Sequence, residues 1–323
     1  MKAIIQDTYG STDVLELREI DKPEIADDEV LVRVHAAGVD RGVWHRMTGL
    51  PYPIRLAEKG LRAPKTPVPG SDVAGVVEAV GNDVTGFQPG DEVFGIGKGA
   101  FAEYARAPEN KLAPKPTNLT FEQAAVIAIS GLPALQGLRD HGRVEPGQKV
   151  LIIGASGGVG TFAVQLAKVF GAEVTAVCST TKVDMVRSLG ADHVIDYTRD
   201  DFAEGEQRYD VILDIGGNAS LARLRRALTP KGTLVIAGGE TSGRWLGGTD
   251  RQLRALVLSR FVGQKLTTFI SKENREDLIV LKELIESGKV TPVIDRTYPL
   301  AEAPQAIRYL EQGHARGKVV ITV

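Results

Sequence analysis

Residues 149–171 read KVLIIGASGGVGTFAVQLAKVFG. The apolar run Val150 to Ile153 is too short for a helix and ends at Gly154, which reads as a buried parallel strand. From Val159 onward, Phe162, Ala163, Leu166, Ala167 and Phe170 recur at helical spacing until Gly171. Strand, glycine turn and helix in that order form a phosphate cradle. Backbone N–H groups at a helix N-terminus face the anion, and glycines let the backbone come close. The candidate cradle is Gly154, Ala155, Ser156, Gly157, Gly158, Val159 and Gly160. Its spacing, G-G-x-G from Gly157, departs from the commonest G-x-G-x-x-G. A tight turn without a ligand is the alternative. The same βαβ rhythm recurs downstream and favours the ligand.

The totals bound what surrounds this unit. At 323 residues the chain is long enough for two domains. A net charge of -2 gives no electrostatic case for nucleic acid or an anionic membrane as partner. There is no apolar run of about 18 residues, so no transmembrane helix is expected. The first residues, MKAIIQDTYG, lack a signal-peptide core and are expected to form a strand. The single Cys178 excludes an internal disulfide and a cysteine-rich zinc site. His35, His45, His141, His193 and His314 show no metal-ligand spacing, so no metal site is expected. A reducing cytoplasm is the expected compartment.

Upstream, short β-type runs alternate with turns such as Pro89-Gly90-Asp91, which predicts an antiparallel, barrel-like β domain. The proline-rich stretch from Trp44 to Pro69 reads as a loop over a cleft. Residues 121–142 read as helical, with Thr120 as N-cap and a break near Ser130-Gly131. Downstream, strands alternate with helices and predict a doubly wound parallel sheet, with a helix over Leu221 to Leu228 stopped by Pro230 and Gly232. Its strand ends, Gly154, Ser179, Tyr197, Asp214 and Gly238, fall on one edge, where ligands bind. The expected domains are 1–119, 120–262 and 263–323, the last returning to the first.

An NAD site places an acid at the end of the second strand, to hold the ribose 2′-hydroxyl. That stretch here is Val177-Cys178-Ser179-Thr180-Thr181-Lys182, without an acid. Hydroxyls at Ser179 and Thr180 and the charge of Lys182 suit a 2′-phosphate, and Tyr197 lies within reach. The expected cofactor is NADPH rather than NADH.

PGSDVAGVVEAVGNDVTGFQPGDEVFG, GAFAEYA, GASGGVG and the terminal HARGKVVI together resemble the medium-chain dehydrogenase/reductase superfamily, and most closely its zinc-independent, ζ-crystallin-like quinone oxidoreductases. The resemblance covers almost the whole chain. It implies a GroES-like β-barrel substrate domain begun by residues 1–119 and split around a Rossmann domain of residues 120–262, with residues 263–323 giving the last Rossmann strand and helix and then returning to the substrate domain, and with the active site in the cleft. It also implies a homodimer or homotetramer. Zinc-dependent relatives carry a cysteine where Asp40 stands and Gly-His-Glu where Gly70-Ser71-Asp72 stands, so no catalytic zinc is expected. Relatives often have Asn at the place of Asp40. By the same resemblance Asp40 and His45 are candidate catalytic residues, and Trp44 and Tyr52 candidate pocket residues. Ser130, Gly238, Gly239, Phe269, Ile270 and Lys318 are candidate cofactor contacts, with Ser130 near the nicotinamide although Pro133 replaces a frequent Thr.

The expected activity is NADPH-dependent hydride transfer to a small electrophilic acceptor, a quinone or another activated carbonyl or alkene. An enoyl-thioester or 2-alkenal reductase is the alternative within enzymes. Scattered Arg55, Lys59, Arg62 and Lys65 are its only basic signal. An NADPH-binding structural or regulatory protein without turnover is the alternative from another class.

Overall fold

The computed structural model describes every residue except 58, 59, 239–242, 244 and 246. It divides into two compact units, Met1–Leu132 with Glu273–Val323, and Pro133–Lys272. In chain order the first unit supplies β1 (Lys2–Gln6), β2 (Leu15–Glu19), β3 (Glu29–Val39), α1 (Arg41–Thr48), β4 (Asp72–Val80), β5 (Glu92–Ile96), β6 (Tyr104–Pro108) and β7 (Leu112–Pro114). Helix α2 (Ala128–Gln136) follows. The second unit runs β8 (Lys149–Ile153), α3 (Gly158–Val169), β9 (Glu173–Cys178), α4 (Val183–Ser188), β10 (His193–Asp196), β11 (Tyr209–Asp214), α5 (Leu221–Ala227), β12 (Leu228–Ile236), α6 (Thr249–Leu258) and β13 (Lys265–Thr268). The tail adds α7 (Arg275–Glu286), β14 (Ile294–Pro299), α8 (Ala303–Glu311) and β15 (Lys318–Thr322).

In the first unit the strand order is β14-β15-β3-β4-β5-β7, with β6 also on β3. All pairs are antiparallel except β14 with β15. This is the GroES-like barrel. Strand β3 sits at its centre because it is buried along most of its length. Its Val30, Val32 and Val34 pack with Phe101, Val319 and Ile321. Burying a side chain such as Phe101 contributes about 2 kcal/mol.

The second unit is a six-stranded parallel sheet in the order β10-β9-β8-β11-β12-β13. From β8 the chain winds outward through β9 to β10, then returns to β11 and winds the other way. The reversal between β8 and β11 is the topological switch point of a doubly wound sheet, where ligands bind at the strand carboxyl ends.

Three local readings are corrected. Residues 41–48 form a helix rather than the start of a loop: Asp40 caps it by accepting from the Val43 N–H at 3.2 Å, and Gly49 closes it at φ +63°. Helix α2 runs through Ser130-Gly131, and the break comes earlier, after a short helix at Phe121–Ala124. A Cβ at Gly131 would lie 2.8 Å from Leu281, so this glycine admits a neighbour instead of ending a helix. The helix expected over Leu221 to Leu228 ends at Ala227, and Pro230 and Gly232 stand beyond it inside β12, which already begins at Leu228.

Candidate active site

The cradle of the second unit is built as its glycines require. Gly154 sits at φ +87°, a conformation that favours glycine. A Cβ at Gly160 would lie 2.2 Å from the Gly154 carbonyl oxygen, so this glycine lets α3 pack on the turn. Gly157 differs: a Cβ there would meet nothing nearer than that oxygen, at 3.7 Å. At Gly157 the first N–H groups of α3 have no capping side chain. Ala155 is buried and tied to the Val177 carbonyl at 3.1 Å, while Gly158 and Val159 form the half-buried first turn. The room and the uncapped donors fit a pyrophosphate.

Beside the cradle lies a cavity of about 590 Å³, lined by Ser156, Ser179, Lys182, Tyr197, Arg199 and Arg223 among others. Ser179 precedes a short turn without capping it, and Tyr197 is exposed. Thr180 is spent elsewhere: its hydroxyl donates to Asp196 Oδ2 at 2.5 Å. Asp196, at the end of β10, also accepts from the Thr198 N–H at 3.0 Å and its hydroxyl at 2.7 Å. Arg199 stands 3.6 Å away. The Thr180 hydroxyl first, then Thr198 and Arg199, hold this carboxyl below its ordinary range. Sequence reading missed Asp196, Arg199 and Arg223. The available signal was position: Asp196 and Arg199 flank the end of β10, and Arg223 lies in the first turn of α5.

On the far side of β8, the backbones of β11 and β12 approach closely. A Cβ at Gly238 would lie 2.1 Å from the Ile215 carbonyl oxygen. Gly239 lies outside the described residues. Phe269 stacks on His141 with ring centroids 4.4 Å apart, and the following Ile270 is 94% exposed.

The first unit gathers a separate polar group. Asp72 and Lys318 are both buried, with Lys318 Nζ donating to Asp72 Oδ2 at 2.8 Å. Asp72 Oδ1 accepts from the Ile129 N–H at 2.8 Å, next to the buried Ser130. Burial pushes the Asp72 carboxyl up to about 6, against the pull of Lys318, and the charge of Asp40 adds to the rise. The Lys318 ammonium is therefore engaged by a carboxylate, not presented to solvent. Asp40 uses Oδ1 for its cap, and its buried Oδ2 has no hydrogen-bond partner among the described residues.

His45 Nδ1 lies 2.7 Å from the Leu50 carbonyl oxygen, a contact that makes Nδ1 the donor and leaves Nε2 as the second ring nitrogen. Trp44 donates its indole N–H to Glu311 and packs on the barrel core. Tyr52 is half-buried and shares the Arg55 guanidinium with Tyr9. A cavity of about 210 Å³ in this unit is lined by Arg46, Lys65, Lys98 and Lys111, with Glu273. Among the described residues, no cluster of three or more His, Cys, Asp or Glu side chains is placed to hold a metal ion. Among the same residues, no helix is long and apolar enough to cross a membrane.

Residues 26–117 match the alcohol dehydrogenase GroES-like domain, and residues 189–321 match the zinc-binding dehydrogenase domain. A 2-methylene-furan-3-one reductase of Solanum lycopersicum is 37% identical, over 99% of this chain and 79% of its own length. The chain belongs to the medium-chain dehydrogenase/reductase family. It is an oxidoreductase of the quinone and alkenal branch. The quinone oxidoreductase of Coxiella burnetii superposes with a TM-score of 0.88 at 30% identity, covering 100% of this chain and 99% of that one. The Escherichia coli quinone oxidoreductase complexed with NADPH gives 0.86 at 27% identity, covering 100% of both chains.

Proposed function

We propose that the protein is an NADPH-dependent reductase of quinones and other activated carbonyl or alkene acceptors, acting without zinc. The observation that carries this reading is the uncapped N-terminus of α3, with room at Gly157, beside the cavity that holds Ser179, Lys182 and Arg199. The nicotinamide cofactor, when bound, supplies a hydride to the acceptor carbon. The backbone N–H groups of Gly158 to Gly160 hold its pyrophosphate. Ser179 and Tyr197 donate hydrogen bonds to the ribose 2′-phosphate, and Lys182 and Arg199 supply charge. Asp196 is compatible with this choice because both its oxygens already accept locally, Oδ2 from Thr180 and Oδ1 twice from Thr198.

In the same proposal the first unit serves the acceptor and the second the cofactor. His45, through Nε2, is assigned to the acceptor oxygen. The acceptor pocket takes Trp44 and Tyr52 as its apolar wall. Zinc has no part in this reading: Asp40 and Ser71 stand where zinc relatives carry cysteine and histidine, and Asp72, at their glutamate, is engaged by Lys318 and Ile129. A homodimer or homotetramer is part of the reading, supported by the edge strand β13 and by the exposed Leu253, Leu256, Val257 and Phe261. So is a cytoplasmic location.

A second reading has its own observation. The basic cavity around Arg46, Lys65, Lys98 and Lys111 suits the phosphate of a thioester carrier, which favours an enoyl-thioester reductase. Loss of nicotinamide absorbance is to be followed with a small quinone, an enone and a 2-enoyl thioester, each with NADPH and NADH. Turnover of quinone or enone with NADPH is the expected result. Turnover of the thioester alone selects the second reading, and a preference for NADH overturns the phosphate site.

A further inference from the structure

The carboxyl edge of the parallel sheet has two halves. The cradle stands at the end of β8, and the cavity with Ser179 and Lys182 stands at β9 and β10. A dinucleotide with its pyrophosphate on the cradle and its phosphorylated ribose in that cavity extends its other half toward β11 and β12. What holds those strand ends is an arginine from α6.

Arg251 is nearly buried, and it reaches three separate segments. Its Nη1 lies 2.6 Å from Oδ2 of Asp214, the fully buried last residue of β11. The same nitrogen donates to the Ala219 carbonyl at 2.8 Å. Nη2 donates to the Gly238 carbonyl, just past β12, at 3.2 Å. Asp214 adds two ties of its own: Oδ1 accepts from the Gly217 N–H at 3.1 Å, and its backbone carbonyl accepts from Ala237 and Gly238 at 3.0 and 3.2 Å. Backbone alone fastens the β8 side, where the Ile153 carbonyl accepts from Ile215 and Gly216 at 3.0 and 3.1 Å. The planar guanidinium fork meets divergent acceptors that a lysine cannot serve together.

We propose that Arg251 is a positioning residue that sets the ends of β11 and β12 so that the nicotinamide half of the cofactor binds in register. The proposal rests on the dinucleotide reading above. It separates the two halves of the ligand, and so does its test.

Dissociation constants for NADPH and for adenosine 2′,5′-bisphosphate, which lacks the nicotinamide half, are to be measured on the wild type and on Arg251→Lys. Asp214→Asn is the second variant, should Arg251→Lys not fold. The expected result is NADPH binding weakened about tenfold or more, with the bisphosphate changed less than about twofold. Equal weakening of both ligands would mark a merely structural role and overturn the assignment. So would NADPH affinity equal to wild type. A wild-type chain that binds neither ligand overturns the cofactor reading and this assignment with it, whereas tight wild-type binding and an unchanged variant overturn the assignment alone.

Discussion

In each unit a fully buried carboxylate meets a cation that is itself largely buried, and the two pairs are built differently. In the first, Lys318 gives Asp72 a single bond at 2.8 Å, and the pair links β4 to β15, 246 residues apart in sequence. In the second, Arg251 gives Asp214 one contact at 2.6 Å from Nη1, which also donates to the Ala219 carbonyl, while Nη2 donates to that of Gly238. A point charge on a flexible stem staples two strands. A fork with fixed directions orients several segments at once. The first arrangement stakes stability on one contact, and the second distributes geometry over many.

The sharpest way to break this contrast is to remove each cation. Lys318→Met leaves Asp72 buried without its partner, and a loss of about 3–5 kcal/mol is expected in urea unfolding near neutral pH. The loss is expected to shrink at acid pH, where Asp72 takes up a proton and ceases to be a buried charge. A loss that does not vary with pH would mean that Lys318 matters for packing alone. Arg251→Lys keeps the charge beside Asp214 and gives up the carbonyl contacts, so the same measurement is expected to show only about 1–3 kcal/mol. Losses of equal size would erase the distinction between staple and fork.

Neither pair was legible in the sequence, and the reason is physical. Local signals carry about one turn or one strand of information, and Asp72 with Lys318 is a contact made by the whole barrel. Arg251 lies on a helix whose most visible residues, Leu253, Leu256 and Val257, face outward. By contrast, β8, its glycine turn and α3 were readable because an apolar run, a φ-positive glycine and helical spacing lie within one continuous segment. Helix α1 was legible in principle: Asp40 stands three residues before the N–H it caps, and Gly49 follows the last turn. The prolines after it drew the reading toward a loop. Ser130-Gly131 misled for the opposite reason, since a glycine that admits Leu281 looks the same in sequence as one that ends a helix. At the carboxyl edge of the sheet, Ser179, Lys182 and Tyr197 could be grouped from the sequence because strand ends share one edge, and they line one cavity. Asp196 and the diversion of Thr180 to it could not be, because that bond crosses from β9 to β10.

The last expected effect is a slope, and it separates the cost of a buried pair from the cost of breaking one. Burial pushes the Asp72 carboxyl up to about 6 in the folded chain, against its ordinary 3.8 when unfolded. Between those values the folded state holds a proton that the unfolded state has released. Stability from this group is therefore full below 3.8 and declines as pH rises toward about 6. Asp72→Asn resembles the protonated acid and cannot titrate. The unfolding free energy of wild type minus that of Asp72→Asn, measured by urea across this range, is expected to fall with rising pH and then level off. Burial also raises the Asp214 carboxyl, with Arg251 opposing, so the Asp214→Asn difference is expected to fall in the same direction. A rising difference at Asp72 would mean that Lys318 more than offsets the desolvation of its partner. The staple would then be a net source of stability, not a fixed contact held at a cost, as replacing such pairs by neutral groups generally reveals.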